Sequence, residues 1–202
     1  MAFSERNSVA KALAVSLVAA ALTTLASTSS AGDLAPTCEL PIGPSPDLGG
    51  HNASIDQTGD LNYAAIEQVG SAHFASVTQA GTANYADVVQ EGDHHSAQIV
   101  QNGVQNSVGT AQYGWHQVAA VTQIGEAQLA QILQYGDGNA AALVQQGIGN
   151  AAFVSQDGKG NLAIALQYGE NHYLQISQFG NGNGVTVTQT GANSYATIVQ
   201  AQ

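Results

Sequence analysis

The stretch ASIDQTGDLNYAAIEQVGSAHFASVTQAG, Ala53 to Gly81, writes nearly the same eleven residues three times in a row. Counted from its glutamines, the period runs on without an insertion. Gln57, Gln68, Gln79, Gln90, Gln101, Gln112, Gln123, Gln134, Gln145, Gln156, Gln167, Gln178, Gln189 and Gln200 are fourteen glutamines spaced by eleven. Two residues after each of the first thirteen stands a glycine: Gly59, Gly70, Gly81, Gly92, Gly103, Gly114, Gly125, Gly136, Gly147, Gly158, Gly169, Gly180 and Gly191. Two before the Gln is Val, Ile or Leu in twelve of fourteen units, with Thr110 and Ala165 the exceptions, and four before it is Ala in eleven. Five after it the residue is always polar: Asn62, Asn84, Asn106, Asn139, Asn150, Asn161 and Asn183, otherwise His73, His95, His172, Gln117, Gln128 or Ser194.

Ala, the aliphatic residue and Gln lie two apart, so they share one face of a β-strand and the residues between them share the other. The constrained face is expected inside, where shape and hydrogen bonding restrict choice. The variable face, with Asp56, Glu67, Asp87, Gln98 and Gln131, is expected outside. A helix is excluded, because glycine every eleven residues and alternating β-branched residues both disfavour it. A strand of about five residues followed by a glycine turn buries nothing alone and must stack on copies of itself. Aromatic residues set the size of one coil: Tyr63 and Tyr85, Tyr113 and Tyr135, and Tyr173 and Tyr195 lie 22 apart. The fold class is therefore all-β, a parallel, cross-β-like β-solenoid of fourteen strand–arc units in seven coils. At about 4.8 Å per coil it is roughly 34 Å long. Each inner Gln then lies over another Gln one coil away, and amide ladders make its burial tolerable.

The repeat domain spans 51–202, and its text differs from what precedes it. Residues 1–31 read as a signal peptide: Arg6 and Lys11, the apolar run Ala12 to Ala26, then small residues at Ser29 and Ala31. Residues 32–50 hold all four prolines and read as a disordered leader or linker. Loss of Glu5, Arg6 and Lys11 takes the formal net charge from −11 to −12 and leaves Lys159 as the sole Lys or Arg. Such a chain lacks the cations that displace counterions from phosphates, so nucleic acid is excluded as a partner. A lone Cys38 cannot form an internal disulfide.

No unit departs from the repeat to build an active site, so no catalytic residue, cofactor or metal is expected, and the protein reads as a non-enzyme. His73, His94, His95 and His116 are expected along one arc column, where they either bind metal, sense pH, or fill turn positions. Asp60, Asp93, Glu126, Asp137 and Glu170 share one slot and either slow premature assembly by repulsion or act as ordinary turn residues. Tyr168 with Phe179 forms a further candidate aromatic pair. The chain stops after Gln200, Ala201 and Gln202 without helix, proline or charge cluster, so open edges and end-to-end polymerisation are expected. The alternative is a monomeric surface-, glycan- or ice-binding solenoid, although only Thr186 and Thr197 suggest a threonine ladder.

The pattern Gln-x-Gly-x-x-Asn-x-Ala-x-x-x-Gln, present as Gln57, Gly59, Asn62, Ala64 and Gln68, resembles that of the curlin family, subunits of bacterial curli amyloid fibres. The resemblance covers Ala53 to Gln202. It implies export through the curli outer-membrane secretion machinery, with the leader as address, although its Pro-rich text is not a strong match. It further implies assembly with itself and other curlin subunits into extracellular, cell-surface fibres for adhesion and biofilm matrix. Glycine and alanine in both half-repeats, and the text IDQTGD, look closer to the minor, nucleating curlin than to the major one. The ending YATIVQAQ holds no cation and departs from the basic final repeats that nucleators use for surface anchoring.

Overall fold

In the computed structural model, residues 50–202 are described, and they form fourteen strands and no helix. In order these are β1 (Asn52–Thr58), β2 (Tyr63–Ser71), β3 (Phe74–Thr82), β4 (Tyr85–Asp93), β5 (Ser96–Val104), β6 (Ser107–Trp115) and β7 (Val118–Glu126). They continue as β8 (Leu129–Asp137), β9 (Ala140–Ile148), β10 (Ala151–Lys159), β11 (Leu162–Glu170), β12 (Tyr173–Asn181), β13 (Gly184–Ala192) and β14 (Tyr195–Ala201). The expected signal peptide, leader and Cys38 lie outside the described residues.

Odd-numbered strands form one seven-stranded sheet and even-numbered strands a second. All pairing is parallel, and each residue pairs with the one 22 positions on, as in Ile99↔Val121 and Gln101↔Gln123. This is the seven-coil β-solenoid read from the aromatic spacing. The inner face carries the Ala, aliphatic and Gln slots: Ala97, Ile99 and Gln101 are at most 1% exposed. The variable residues alternate with them on the outer face.

Strand length differs from the expectation. Twelve strands run nine residues rather than about five, and only β1 and β14 run seven. Pairing does not stop at the Gln: Gly70 pairs with Gly92 and Ser71 with Asp93, so the ladder follows the chain into the arc. Glycine makes this continuation possible. A methyl group on Gly103 would lie 1.9 Å from the Gly125 carbonyl oxygen, so only a residue without Cβ allows coils to stack there.

Candidate functional site

The glutamines form two continuous ladders, one behind each sheet. On the odd side Gln79 Nε2 donates to Gln101 Oε1 at 2.7 Å, and Gln101 Nε2 to Gln123 Oε1 at 2.9 Å. On the even side Gln112 donates to Gln134 at 2.9 Å and Gln134 to Gln156 at 2.8 Å. Every rung from Gln57 to Gln200 points the same way, each amide nitrogen donating toward the C-terminal coil.

From Gln68 to Gln178 each amide nitrogen also has a second acceptor that the sequence reading missed. From Gln68 onward it donates to a backbone carbonyl of the opposite sheet sixteen residues back, as Gln101 does to Tyr85 at 2.9 Å and Gln134 to Val118 at 3.1 Å. Gln145 to Leu129 and Gln156 to Ala140 repeat the pattern. Thus the glutamine spans the solenoid as well as climbing it. Shorter Asn lacks that reach, and hydrocarbon would leave the next Gln Oε1 buried without its donor. The signal for it was the invariance of the Gln, which stacking alone does not demand.

The polar slot after each glycine closes the corners. The Asn84 Nδ2 donates to the Ala80 and Gly103 carbonyls at 3.3 and 3.1 Å, and its backbone N–H donates to Asn62 Oδ1 at 3.0 Å. Asn62, Asn106, Asn139, Asn150 and Asn161 reach the corresponding glycine carbonyls at 2.9–3.1 Å. Asn183 donates to Phe179 O at 2.9 Å. The asparagine and glycine slots therefore meet at these corners. Gln117 and Gln128 leave their Oε1 atoms, and Asn183 its Oδ1, buried without a partner.

The four histidines separate into two columns. His51, His73 and His95 stack inside the arc with ring centroids 5.0 Å apart, and His73 and His95 are 1% exposed. His94 and His116 stack outside it at 5.2 Å. The split follows from chain direction: consecutive residues at a corner point to opposite sides. Burial pushes the His73 and His95 imidazoles below their ordinary pKa of 6.5. Among the described residues no three of His, Cys, Asp and Glu converge to hold a metal ion.

The acidic slot likewise divides between arcs, because successive units lie on opposite sheets. Asp60 follows β1, and Glu126 and Glu170 end the odd strands β7 and β11, whereas Asp93 and Asp137 end the even strands β4 and β8. Ser71 Oγ and Trp115 Nε1 donate to Asp93 and hold its carboxyl below the usual range. The Lys159 ammonium lies 2.8 Å from Asp137 and lowers its pKa in the same way. The pairs Tyr63/Tyr85, Tyr113/Tyr135 and Tyr173/Tyr195 stack at 4.9–5.0 Å. Tyr168 and Phe179 do not pair, since β11 and β12 belong to different sheets. Thr186 and Thr197 are on opposite sheets too, so they form no common ladder.

A family model described as the curlin associated repeat matches residues 52–81, 74–103, 128–158 and 149–180, together about half of the chain. No curated protein and no solved structure matches the chain.

Proposed function

The chain belongs to the curlin family, a family of structural fibre subunits, and from that premise we propose that it self-assembles into extracellular curli-like amyloid fibres. One observation supports this reading above the others: the two glutamine ladders run in a single sense at one register throughout. A coil of a second chain can extend them with the same partners. Donor ends then meet acceptor ends, so copies add head to tail, each exposed strand edge templating the next. The fibre serves adhesion and biofilm matrix, with this chain acting as a minor, nucleating subunit. Residues 1–31 direct export, 32–50 address the chain to the curli secretion machinery, and 51–202 form the assembling part.

A thioflavin time course on chain released from denaturant tests the reading. Growth is expected to depend on concentration, shorten with preformed seeds, and yield fibres with reflections near about 4.7 and 10 Å. Substoichiometric chain is expected to shorten the lag of a major curlin. A folded monomer that neither grows nor seeds overturns the fibre reading. An unchanged lag of the major curlin overturns the nucleating role alone.

A further inference from the structure

Tyrosine is distributed unevenly along one slot of the even-numbered sheet. The first residues of its strands read Tyr63, Tyr85, Ser107, Leu129, Ala151, Tyr173 and Tyr195, so the rings stand in the first two and last two coils and nowhere between. They form two stacks, with centroids 5.0 Å apart and planes 8° apart at one end, 4.9 Å and 5° at the other. Each stack finishes on an open ring: Tyr63 is 50% and Tyr195 72% exposed. The same slot of the odd-numbered sheet begins with Asn52 and finishes with Gly184. Stacking that served only the chain's own coils gives no reason to prefer its two ends.

Both end coils also leave inner residues half-covered. Ile55 on β1, Val185 and Val187 on β13, and Ala196 and Ile198 on β14 are half-buried, whereas Ala97, Ile99 and Val121 in the same slots of middle coils are at most 1% exposed. A second copy stacked coil on coil removes that apolar surface from water. Charge permits the contact. The last coil, β13 with β14, has no charged side chain, so at the 22-residue register Asp56, Asp60 and Glu67 of an arriving first coil meet Thr188, Ala192 and Val199. The nearest acid in the slot of Asp60 is then Glu170, two coils away. Glu126 and Glu170 already stand two coils apart in that slot within one chain.

Given the end-to-end assembly proposed above, we infer that tyrosine fixes how one copy seats on the next: Tyr195 of one copy stacks on Tyr63 of the following copy. The two pairs then join into a column of four rings, Tyr173, Tyr195, Tyr63 and Tyr85, that crosses the seam. A choice of seating exists because both half-repeats carry the same inner slots. A copy turned by half a coil about the solenoid axis sets β1 on β14 and β2 on β13. Its glutamines and inner aliphatic residues still meet their own kind, Gln57 on Gln200 and Ile55 on Ile198. The rings tell the two seatings apart. In the turned copy Tyr195 meets Asn52 and Tyr63 meets Gly184, so both end rings lose their aromatic partner. Specificity of this kind is a difference between two seatings, and the glutamine ladders alone do not supply it.

Disulfide linkage across the seam of full-chain fibres tests this, in a Cys38→Ser background. Thr197 lies over Ala65 of the next copy in the tyrosine-matched seating and over Ser54 in the turned one. Stacked strands are about 4.8 Å apart, within reach of a disulfide. Thr197→Cys chains are expected to link to Ala65→Cys chains at least roughly 10-fold more than to Ser54→Cys chains, a ratio that one aromatic pair supports. With Tyr63→Ala and Tyr195→Ala added to every chain, the two yields are expected to converge. Tyr63→Phe with Tyr195→Phe is expected to keep the preference, because the ring and not the hydroxyl makes the stack. Three outcomes overturn the tyrosine seam while fibre formation stands: equal linkage to both partners, a preference that survives loss of the rings, or fibres that link to neither partner. Absence of fibres overturns the fibre reading, and the seam with it.

Discussion

At the scale of single residues, the solenoid tolerates exceptions unequally, and the reason lies in what one coil presents to the next. Thr110 stands where twelve units have Val, Ile or Leu, and its hydroxyl is buried without a hydrogen-bond partner. Thr110→Val removes that orphaned group at nearly constant shape and is expected to stabilise the fold by about 1 kcal/mol, read as a higher denaturant midpoint. Glycines divide by what lies above them. Gly103→Ala would drive a methyl to 1.9 Å from the Gly125 carbonyl oxygen, a contact with backbone that cannot move aside. Loss of at least about 4 kcal/mol is expected, in the range of exceptional single-site effects. Gly182 has a φ of +69° but open space around its missing Cβ. Gly182→Ala therefore incurs only left-handed strain, about 1–2 kcal/mol. Equal losses at the two sites in chemical denaturation would refute the stacking argument.

At the scale of elements, the buried histidine column makes the arc sensitive to acid. In each ring Nε2 faces a carbonyl, Val69 O for His73 and Glu91 O for His95, at 3.0 Å. Each Nδ1 accepts a backbone N–H, from His95 at 3.2 Å and from Gln117 at 3.3 Å. Both nitrogens are thus committed to the neutral ring, and a proton on Nδ1 would face another donor. Desolvation is the largest cause of the lowered pKa values. The two carbonyls and Asp93 oppose it, while neighbouring His51, His94 and His116 reinforce it. Since the folded pKa lies below the ordinary 6.5, the unfolded chain binds more protons in the window beneath that value. Stability is complete above the window and falls as pH drops through it. Urea midpoints at about pH 7.5 and 5.5 are expected to differ less in His73→Asn/His95→Asn than in the unsubstituted chain. Asn is the commonest residue in that slot and fills it without a charge that titrates here. A pH dependence unaffected by the substitutions would remove the column as its source.

At the scale of the whole molecule, the repeat made fold and register legible, because a fixed period leaves one way to superpose fourteen units. Local geometry was less legible. Strand length, the glutamine's second acceptor and the splitting of the histidines depend on how the chain rounds each corner, where residue identity varies. One such corner slot, four residues after each Gln, is left-handed throughout, and its occupants divide the chain in two. The first seven are Leu61, Ala72, Ala83, His94, Gln105, His116 and Ala127, with φ between 52° and 58°. The last six are Gly138, Gly149, Gly160, Asn171, Gly182 and Asn193. Glycine and asparagine adopt this conformation readily, whereas Leu, Ala and Gln incur about 1–2 kcal/mol each. Strain is therefore concentrated in the N-terminal coils. In a solenoid, where each unit contacts only its neighbours, ordering begins where a nucleus costs least. The coils of β10–β12 are expected to form before those of β3–β5, though inner slots and pairing match. Pulsed hydrogen exchange during refolding would show earlier protection of amides in 151–181 than in 74–104. Glycine at positions 61, 72, 83, 105 and 127 is expected to erase that interval and stabilise the chain. Simultaneous protection in the unsubstituted chain, or protection of 74–104 first, would refute a strain-directed order of folding.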